Sequence, residues 1–183
     1  MLKNGLDVER QTAMQVAELM AAAARTAPKG CGIDNLEVRL VDGKEKDALG
    51  EEMRRMGRES SVDFFVRDGY NVDTAIVVLL LGARISPIFC PNCGFCGYKD
   101  CEENIDHNGI CMFNVVDLGI ALGSAASVAA AHKIDNRILF SAGKAVLNLG
   151  YFPKDVTIAY GIPLSISSKS PFFDREGICK VED

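Results

Sequence analysis

The spacing of hydrophobic residues changes between helical and strand periods along the chain. Apolar residues recur at steps of three and four over 8–27, which predicts a helix that ends before Pro28. Every second residue is apolar within 35–41, which is the period of a half-buried strand. Residues 44–59 are rich in Glu, Lys, Arg and Met and predict a charged surface helix. The first third of the chain therefore predicts a helix, a strand and a helix in that order.

The alternation continues on both sides of a segment rich in cysteine. The apolar run 75–81 predicts a buried central strand, and the small residues of 113–132 predict a buried helix. A shorter helix over 142–149 and a strand over 156–160 follow. Helices that alternate with strands predict an α/β, or α+β, layered fold, and a length of 183 residues favours a single domain over 1–183.

Two glycines interrupt the small-residue helix predicted over 113–132. Gly119 and Gly123 lie one turn apart. Glycine costs a helix about 1 kcal/mol relative to alanine. We therefore expect another backbone to pack closely against these two positions.

Composition and charge narrow the function classes. The chain has 20 Lys+Arg and 25 Asp+Glu, a formal charge of −5, which argues against nucleic acid as a partner. The longest apolar run, 75–81, is too short to span a bilayer. The first residues lack the apolar core of a secretion signal. We therefore expect a cytoplasmic protein with neither a membrane nor a nucleic-acid partner.

Cysteine usage is the most informative feature of the composition. The chain has seven cysteines, and five of them lie between Cys90 and Cys111. Disulfides are disfavoured in a reducing cytosol, so clustered thiols there indicate metal or redox chemistry. The segment 88–111 also contains proline and glycine, which predicts an inserted loop. Of the two isolated cysteines, Cys179 is near the C-terminus, and Cys31, between two glycines, is either a reactive or a buried inert thiol.

The spacing of the five clustered cysteines is C-x2-C-x2-C-x4-C-x9-C. Iron–sulfur clusters are held by loop thiolates that are commonly two residues apart. Gly94 and Gly97 each follow a cysteine and permit the tight turns that such a site needs. Structural zinc sites with four thiolates usually use two separated C-x2-C pairs, which this spacing matches poorly. An iron–sulfur site is the prediction, with zinc, or structural or redox thiols, as the alternatives.

The segment 92–101, NCGFCGYKDC, resembles the 4Fe–4S signature NCGxCGxxxC of iron–sulfur electron-carrier modules. The resemblance implies Cys93, Cys96 and Cys101 as ligands. It also requires one more distant cysteine, for which Cys111 is the nearby candidate and Cys90 the alternative.

A second resemblance, to the small nitroreductases, covers nearly the whole chain. It rests on 23–28 (AARTAP) with Asn35, on 75–80, on 117–121 (DLGIA) and on 159–163 (AYGIP). It implies a nitroreductase-like sheet with flanking helices, and an intertwined homodimer with FMN at the subunit interface.

The flavin part of this resemblance is incomplete. The Arg-rich box by which nitroreductases hold the FMN phosphate is missing from residues 1–12. Arg25, Lys29, Gly30 and Asn35 are the candidates for a substitute anion site, and FMN is the second cofactor that the resemblance allows.

A chain that combines both features is similar to a family of ferredoxin-domain-containing proteins, and the tail 160–175 also fits that family. They imply an iron–sulfur redox protein with one 4Fe–4S cluster, which transfers electrons to a flavin, a partner protein or a small-molecule acceptor. One alternative is a non-catalytic sensor or interaction module that binds zinc or an iron–sulfur cluster. A second alternative is an FMN-dependent oxidoreductase. Whether the protein is an enzyme stays open.

Overall fold

An antiparallel sheet of four strands forms the centre of the protein, seen in a computed structural model that describes residues 2–173. The spatial order is β1-β2-β4-β3. The strands are β1 (Leu36–Val41), β2 (Val77–Arg84), β3 (Asp135–Asn136) and β4 (Val156–Ser165). The helices are α1 (Gly5–Thr26), α2 (Gly43–Ser60), α3 (Asp63–Thr74), α4 (Cys101–Asp106), α5 (Met112–Ala131) and α6 (Phe140–Asn148). Cys179 and the rest of the tail from residue 174 lie outside the described residues.

Helices cover both faces of the sheet because β2 is apolar on both sides. Leu79 and Leu81 point into a core that they share with α1 and α5. Val78 and Leu80 point to the opposite side, into a core with α2, α3 and α6. All four side chains are fully buried. A strand with two buried faces is a continuous apolar run rather than an alternating one, and the layered α/β prediction is confirmed.

Local sequence signals account for the ends of α1. The side chain of Asn4 accepts a hydrogen bond from the backbone N–H of Leu6 at 3.0 Å, so the helix begins earlier than the apolar pattern predicts. The helix ends at Thr26, because the residue before a proline is disfavoured in the helical conformation and Pro28 follows Ala27. Its buried face consists of small residues and methionine at helical spacing: Ala13, Val16, Ala17, Met20 and Ala24.

Two elements differ from the sequence pattern for clear reasons. Helix α3 has no simple apolar period because it buries polar residues as well as apolar ones. The carboxylate of Asp68 is buried and accepts a hydrogen bond from the hydroxyl of Ser141 on α6 at 2.6 Å. Strand β4 continues through Gly161 and Pro163, since Leu80 and Val78 of β2 stand opposite them in register.

Close glycine contacts lie between α6 and β4 and between α2 and α3, but not on α5. A Cβ added at Gly143 would overlap the backbone carbonyl of Ala159, and one added at Gly69 would lie 2.8 Å from the carbonyl oxygen of Gly50. At Gly119 and Gly123, in contrast, no neighbouring described atom lies within 4 Å of an added Cβ. The expected close backbone approach at these two positions is therefore not made by residues 2–173.

Among the described residues, α5 is the one helix long and apolar enough to cross a membrane by length and composition. Core helices pass the same test, and the buried side of α5 packs along α1 and against β2. The opposite side of α5 is exposed.

We predict that Gly143→Ala destabilises the protein by about 3 kcal/mol, because the new methyl group must push α6 away from β4. Gly5→Ala is the control, since no described atom lies within 4 Å of its added Cβ, and we expect a change below about 1 kcal/mol. Urea unfolding of the two variants measures the difference. Equal stability of both would contradict the packing of α6 on β4.

Candidate metal centre

Five thiols line one cavity in the segment between β2 and α5. The cavity has a volume of about 520 Å³. Its walls include all five clustered cysteines: Cys90, Cys93, Cys96, Cys101 and Cys111. The thiols therefore face a common space although they are spread over 22 residues of sequence.

Left-handed backbone conformations bend the segment between the cysteines. Asn92, Gly94 and Gly97 have φ values of 55°, 62° and 86°. The backbone N–H of Gly97 donates to the carbonyl of Gly94 at 3.0 Å and closes a turn that contains Cys96. Glycine adopts this conformation without steric cost. The two glycines after cysteines thus make the reversals that keep Cys93 and Cys96 beside the same cavity.

A reciprocal cap holds the first residue of α4, which is Cys101. The carboxylate of Asp100 accepts a hydrogen bond from the N–H of Glu103 at 2.9 Å. The carboxylate of Glu103 accepts one from the N–H of Lys99 at 2.6 Å. The first bond satisfies a free N–H group in the first turn of α4, and the second ties the N–H of Lys99, just before the capping residue, to that turn. The position of Cys101 is thereby set by local sequence.

Cys111 lies at the other end of the segment, as the N-terminal capping residue of α5, and is 7% exposed. Asn114 joins this end to the beginning of the segment, because its side-chain oxygen accepts a hydrogen bond from the N–H of Ser86 at 2.8 Å. The side-chain nitrogen of Asn114 is buried and has no hydrogen-bond acceptor among residues 2–173.

The thiols are not gathered as they would be around a single ion. Within residues 2–173, no three His, Cys, Asp or Glu side chains are grouped so that they could hold one metal ion. Four thiolates on one tetrahedral zinc stand roughly 3.8 Å apart, from Zn–S bonds of about 2.3 Å. The cysteines instead surround a space that is larger than a single ion needs.

Cys90 connects this cavity to a cysteine that the sequence analysis left isolated. Partial burial raises the pKa of the Cys90 thiol, and so do the charge of Cys31 and a hydrogen bond with it. Cys93 and Cys101 raise that pKa further by their charges. Cys31 and Cys90 therefore lie near each other although they are 59 positions apart in the sequence. Cys31 is exposed, so its interpretation as a buried inert thiol is wrong.

The turn that carries Cys31 is anchored to α5. Both carboxylate oxygens of Asp117 accept hydrogen bonds from the N–H of Gly30, at 3.0 and 3.1 Å. Gly30 also packs tightly, since an added Cβ would lie 2.8 Å from the ring of Phe113 and 2.9 Å from Ile88. The spacing of residues in the sequence does not predict this contact between Gly30 and α5.

Three of the four residues predicted for a flavin-type anion site already have partners inside the chain. The guanidinium of Arg25 donates to the carboxylate of Asp34 at 2.6 Å; partial burial would raise the pKa of Asp34, and this bond holds it below its usual range. The ammonium of Lys29 donates to three carbonyls of the α1 C-terminal region, at 2.6, 2.7 and 3.2 Å. The N–H of Gly30 donates to a carboxylate, so these three donors are not free for a phosphate. Only the side-chain nitrogen of Asn35 is buried without an acceptor in the described part of the chain.

One family model matches part of this chain, and one related protein matches nearly all of it. The family described as "Uncharacterized protein containing a ferredoxin domain (DUF2148)" matches residues 107–175. A protein of Archaeoglobus fulgidus, named "Uncharacterized protein", is 39% identical over 183 residues, which cover 96% of this chain and 98% of that one. The family match includes Cys111 and begins after the other four cavity cysteines.

Solved structures with the same fold carry the names of nitroreductases or other oxidoreductases. An FMN-dependent nitroreductase from Clostridium difficile has a TM-score of 0.55 at 16% identity, with 85% of this chain and 76% of that one covered. A putative NADH dehydrogenase/NAD(P)H nitroreductase from Bacteroides thetaiotaomicron has a TM-score of 0.57 at 12% identity, with 92% and 85% covered. The hypothetical oxidoreductase YcnD from Bacillus subtilis has a TM-score of 0.57 at 19% identity, and the chain covers 59% of its length. At these identities the likeness shows the nitroreductase-like fold alone.

We predict that Asp117→Ala destabilises the protein by about 2 kcal/mol, because the N–H of Gly30 loses a charged acceptor. Asp117→Asn is the control, since it keeps an acceptor oxygen and should lose less than half as much. Urea unfolding measures both variants. If both variants lose the same free energy of unfolding, the charge of Asp117 matters rather than its bond to Gly30, and the role assigned to Asp117 is wrong.

Proposed function

Because the chain belongs to the family of proteins that contain a ferredoxin domain, we propose that it is an iron–sulfur redox protein with one 4Fe–4S cluster. The observation that carries the proposal is the single cavity of about 520 Å³ lined by five thiols. Thiolates are the ligands of such clusters. When bound, the cluster supplies one-electron chemistry.

The spacing of the cysteines along the chain supports a cluster over zinc. Structural zinc sites with four thiolates usually use two separated C-x2-C pairs, whereas Cys90, Cys93 and Cys96 follow one another at two-residue gaps. Loop thiolates at such gaps are common ligands of iron–sulfur clusters. The zinc-binding sensor or interaction module is therefore the less favoured alternative.

We assign Cys93, Cys96, Cys101 and Cys111 as the four ligands. The turns at Gly94 and Gly97 and the cap of α4 fix the first three of them from neighbouring residues. Cys111 has a fixed position as the N-terminal capping residue of α5. Cys111 is buried whereas Cys90 is only partly buried, so we choose Cys111 as the fourth ligand and leave Cys90 outside the set.

Residues around the cavity would set the reduction potential of a bound cluster and the access of its electron acceptors. The turns at Gly94 and Gly97 leave backbone N–H groups near the cysteines, and hydrogen bonds from such groups to sulfur tune a cluster's potential. The ring of Phe95 is 77% exposed beside the segment, and Phe89 on the cavity wall is 60% exposed. An exposed aromatic rim allows a partner protein or a small electron acceptor to approach the cavity closely.

The second candidate, an FMN-dependent oxidoreductase, is favoured by the fold likeness. The residues tested for an anion site do not fit it as they stand, because Arg25 and Lys29 are bound to protein acceptors. We therefore derive no step through a flavin. Release of free flavin from the denatured protein would favour this candidate. A reducing, cytoplasmic location suits seven cysteines and an oxygen-sensitive cluster, and we propose it on that basis.

We also propose that the protein is a homodimer that pairs through the exposed side of α5. This side presents Met112, Val116 and Ile120, which are 39%, 45% and 41% exposed. Gly119 and Gly123 lie among them with open space above. Asp117 is the one charged residue in the sequence of α5, and it is buried. An uncharged apolar stripe beside small residues suits close packing of two copies of the helix.

We predict that serine substitution of any of the four ligands removes most of the iron, because each iron loses its thiolate. Purification under nitrogen, followed by iron, sulfide, zinc and flavin analysis, measures this. The wild-type protein should hold about four irons per chain and show broad visible absorption that bleaches with dithionite. Stoichiometric zinc without iron would contradict the proposal.

The matched controls are Cys31→Ser and Cys90→Ser, which we expect to keep the iron content of the wild-type protein. Full iron in Cys96→Ser would refute the ligand assignment. If Cys90→Ser loses iron while Cys111→Ser keeps it, the fourth ligand is Cys90 and not Cys111.

We predict that Ile120→Asp halves the mass of the particle in sedimentation velocity, because a charge enters the apolar contact between two α5 helices. Phe64→Asp is the control, since Phe64 is equally exposed, at 41%, but lies on α3 in the opposite layer. A wild-type protein that is monomeric at micromolar concentration would refute the dimer. An Ile120→Asp variant that stays dimeric would refute pairing through α5.

A further inference from the structure

We propose that the side-chain amide of Asn104 donates a hydrogen bond to sulfur at the cluster site and thereby raises the reduction potential. The inference rests on the proposed function, because it concerns the same cavity. Asn104 is one of the cavity walls and is 1% exposed. The other polar walls apart from the cysteines, within residues 2–173, are exposed: Asn92, Lys99, Asp100 and Glu102.

Backbone bonds hold Asn104 beside a proposed ligand. Its N–H donates to the carbonyl of Asp100 at 3.2 Å, and its carbonyl accepts from the N–H of Gly109 at 2.7 Å. Asn104 follows Cys101 by three residues in α4. Residues three apart lie on the same side of a helix, and both of these line the cavity. The amide is therefore held next to the Cys101 thiol.

The two ends of the amide have different surroundings. The nitrogen Nδ2 lies 3.5 Å from the carbonyl of Ile110, and a Cβ added at Gly109 would lie 2.5 Å from it. Neither Gly109 nor Ile110 is among the cavity walls, which leaves the oxygen end of Asn104 to face the cavity. That oxygen, Oδ1, is buried and accepts no hydrogen bond from residues 2–173.

An anionic centre in the cavity reverses the preferred direction of this amide. Thiolate ligands bring negative charge to the cavity, and the sulfurs of a cluster accept hydrogen bonds. They repel the amide oxygen and attract the N–H of Nδ2. A half-turn of the planar group exchanges the two ends without moving α4. It gives up the bond to Ile110, which at 3.5 Å is longer than an ordinary N–H···O bond, for a stronger bond to a charged acceptor.

A donor at this position acts on the reduction potential because it favours one oxidation state. Reduction adds one electron, so the reduced site is the more negative of the two and binds the N–H more strongly. Burial of Asn104 keeps water from replacing the bond when it is lost. Removal of the amide should therefore lower the potential while the four thiolates keep the iron.

The first measurement compares midpoint potentials of iron-loaded, full-length proteins under nitrogen. Dithionite titration followed by visible absorption gives the values. Asn104→Leu keeps a side chain of similar size and removes the N–H. We expect reduction to become about tenfold less favourable, which lowers the potential by about 59 mV for one electron.

The matched control is Asn108→Gly, which should keep the wild-type potential. Asn108 is exposed and is not among the cavity walls. Its φ is 51°, which glycine adopts without strain, so the substitution removes an amide without disturbing the backbone.

The second measurement needs no substitution and decides the case if Asn104→Leu loses iron. The wild-type protein is grown on asparagine labelled with 15N in the side-chain amide, reduced with dithionite, and studied by pulsed EPR. A nitrogen hydrogen-bonded to a cluster sulfur couples to the electron spin, so we expect a 15N coupling. Asn92 is the other asparagine on the cavity wall. Asn92→Gly should keep the coupling, and an iron-loaded Asn104→Leu should lose it.

Three outcomes would overturn the inference. They are an iron-loaded wild-type protein without 15N coupling, a coupling that disappears in Asn92→Gly, and an iron-loaded Asn104→Leu whose potential is equal to or above that of Asn108→Gly. Each leaves the cluster in place and the proposed function standing. A wild-type protein that binds no iron under nitrogen would instead refute the proposed function and this inference with it.

Discussion

The burial of β2 on both faces is the constraint on which the rest of the structure depends. Its residues from Val77 to Ala83 are out of contact with water, and each fully buried aliphatic side chain contributes about 1.5–3 kcal/mol. The strand is paired with β1 on one edge and β4 on the other. At its end, Arg84 makes ion pairs with Glu37 on β1 and with Asp155 just before β4. The point at which the cysteine segment leaves the sheet is thereby fixed.

The cysteine segment has few apolar contacts of its own and depends on anchors at both ends. It starts after β2 and ends at the first turn of α5, and the bond between Ser86 and Asn114 ties these ends together. Within it, the left-handed residues and the caps of α4 set the direction of the chain between thiols. A loop with fixed ends has far fewer conformations than a free one. This restriction explains how a polar, glycine-containing segment holds five thiols around one space.

The fold and the chemistry have separate origins in this protein. The layered sheet is shared with FMN-dependent nitroreductases, but a shared fold does not carry a shared ligand. Here Arg25 and Lys29 stabilise the end of α1 and the following turn, and the groups with metal affinity are concentrated in the segment between β2 and α5. The same turn after α1 delivers Cys31 to that segment.

The sequence alone determined the order of the elements, because helix and strand periods and proline or glycine stops act over neighbouring residues. It placed α1, β1, α2, β2, α5 and β4 close to their observed positions, and it singled out the five clustered cysteines with their glycine turns. It did not predict α3, where burial of Asp68 hides the apolar period. It also left open whether the thiols share one cavity.

Only the tertiary structure decided which distant groups meet. The bond of Asp117 to Gly30 and the engagement of Arg25 and Lys29 by protein acceptors are not predicted by the spacing of residues in the sequence. Each depends on how α1, α5 and the end of β2 pack on one another. Local patterns encode the conformation of a segment, whereas a contact between residues 87 positions apart arises when buried faces are brought together.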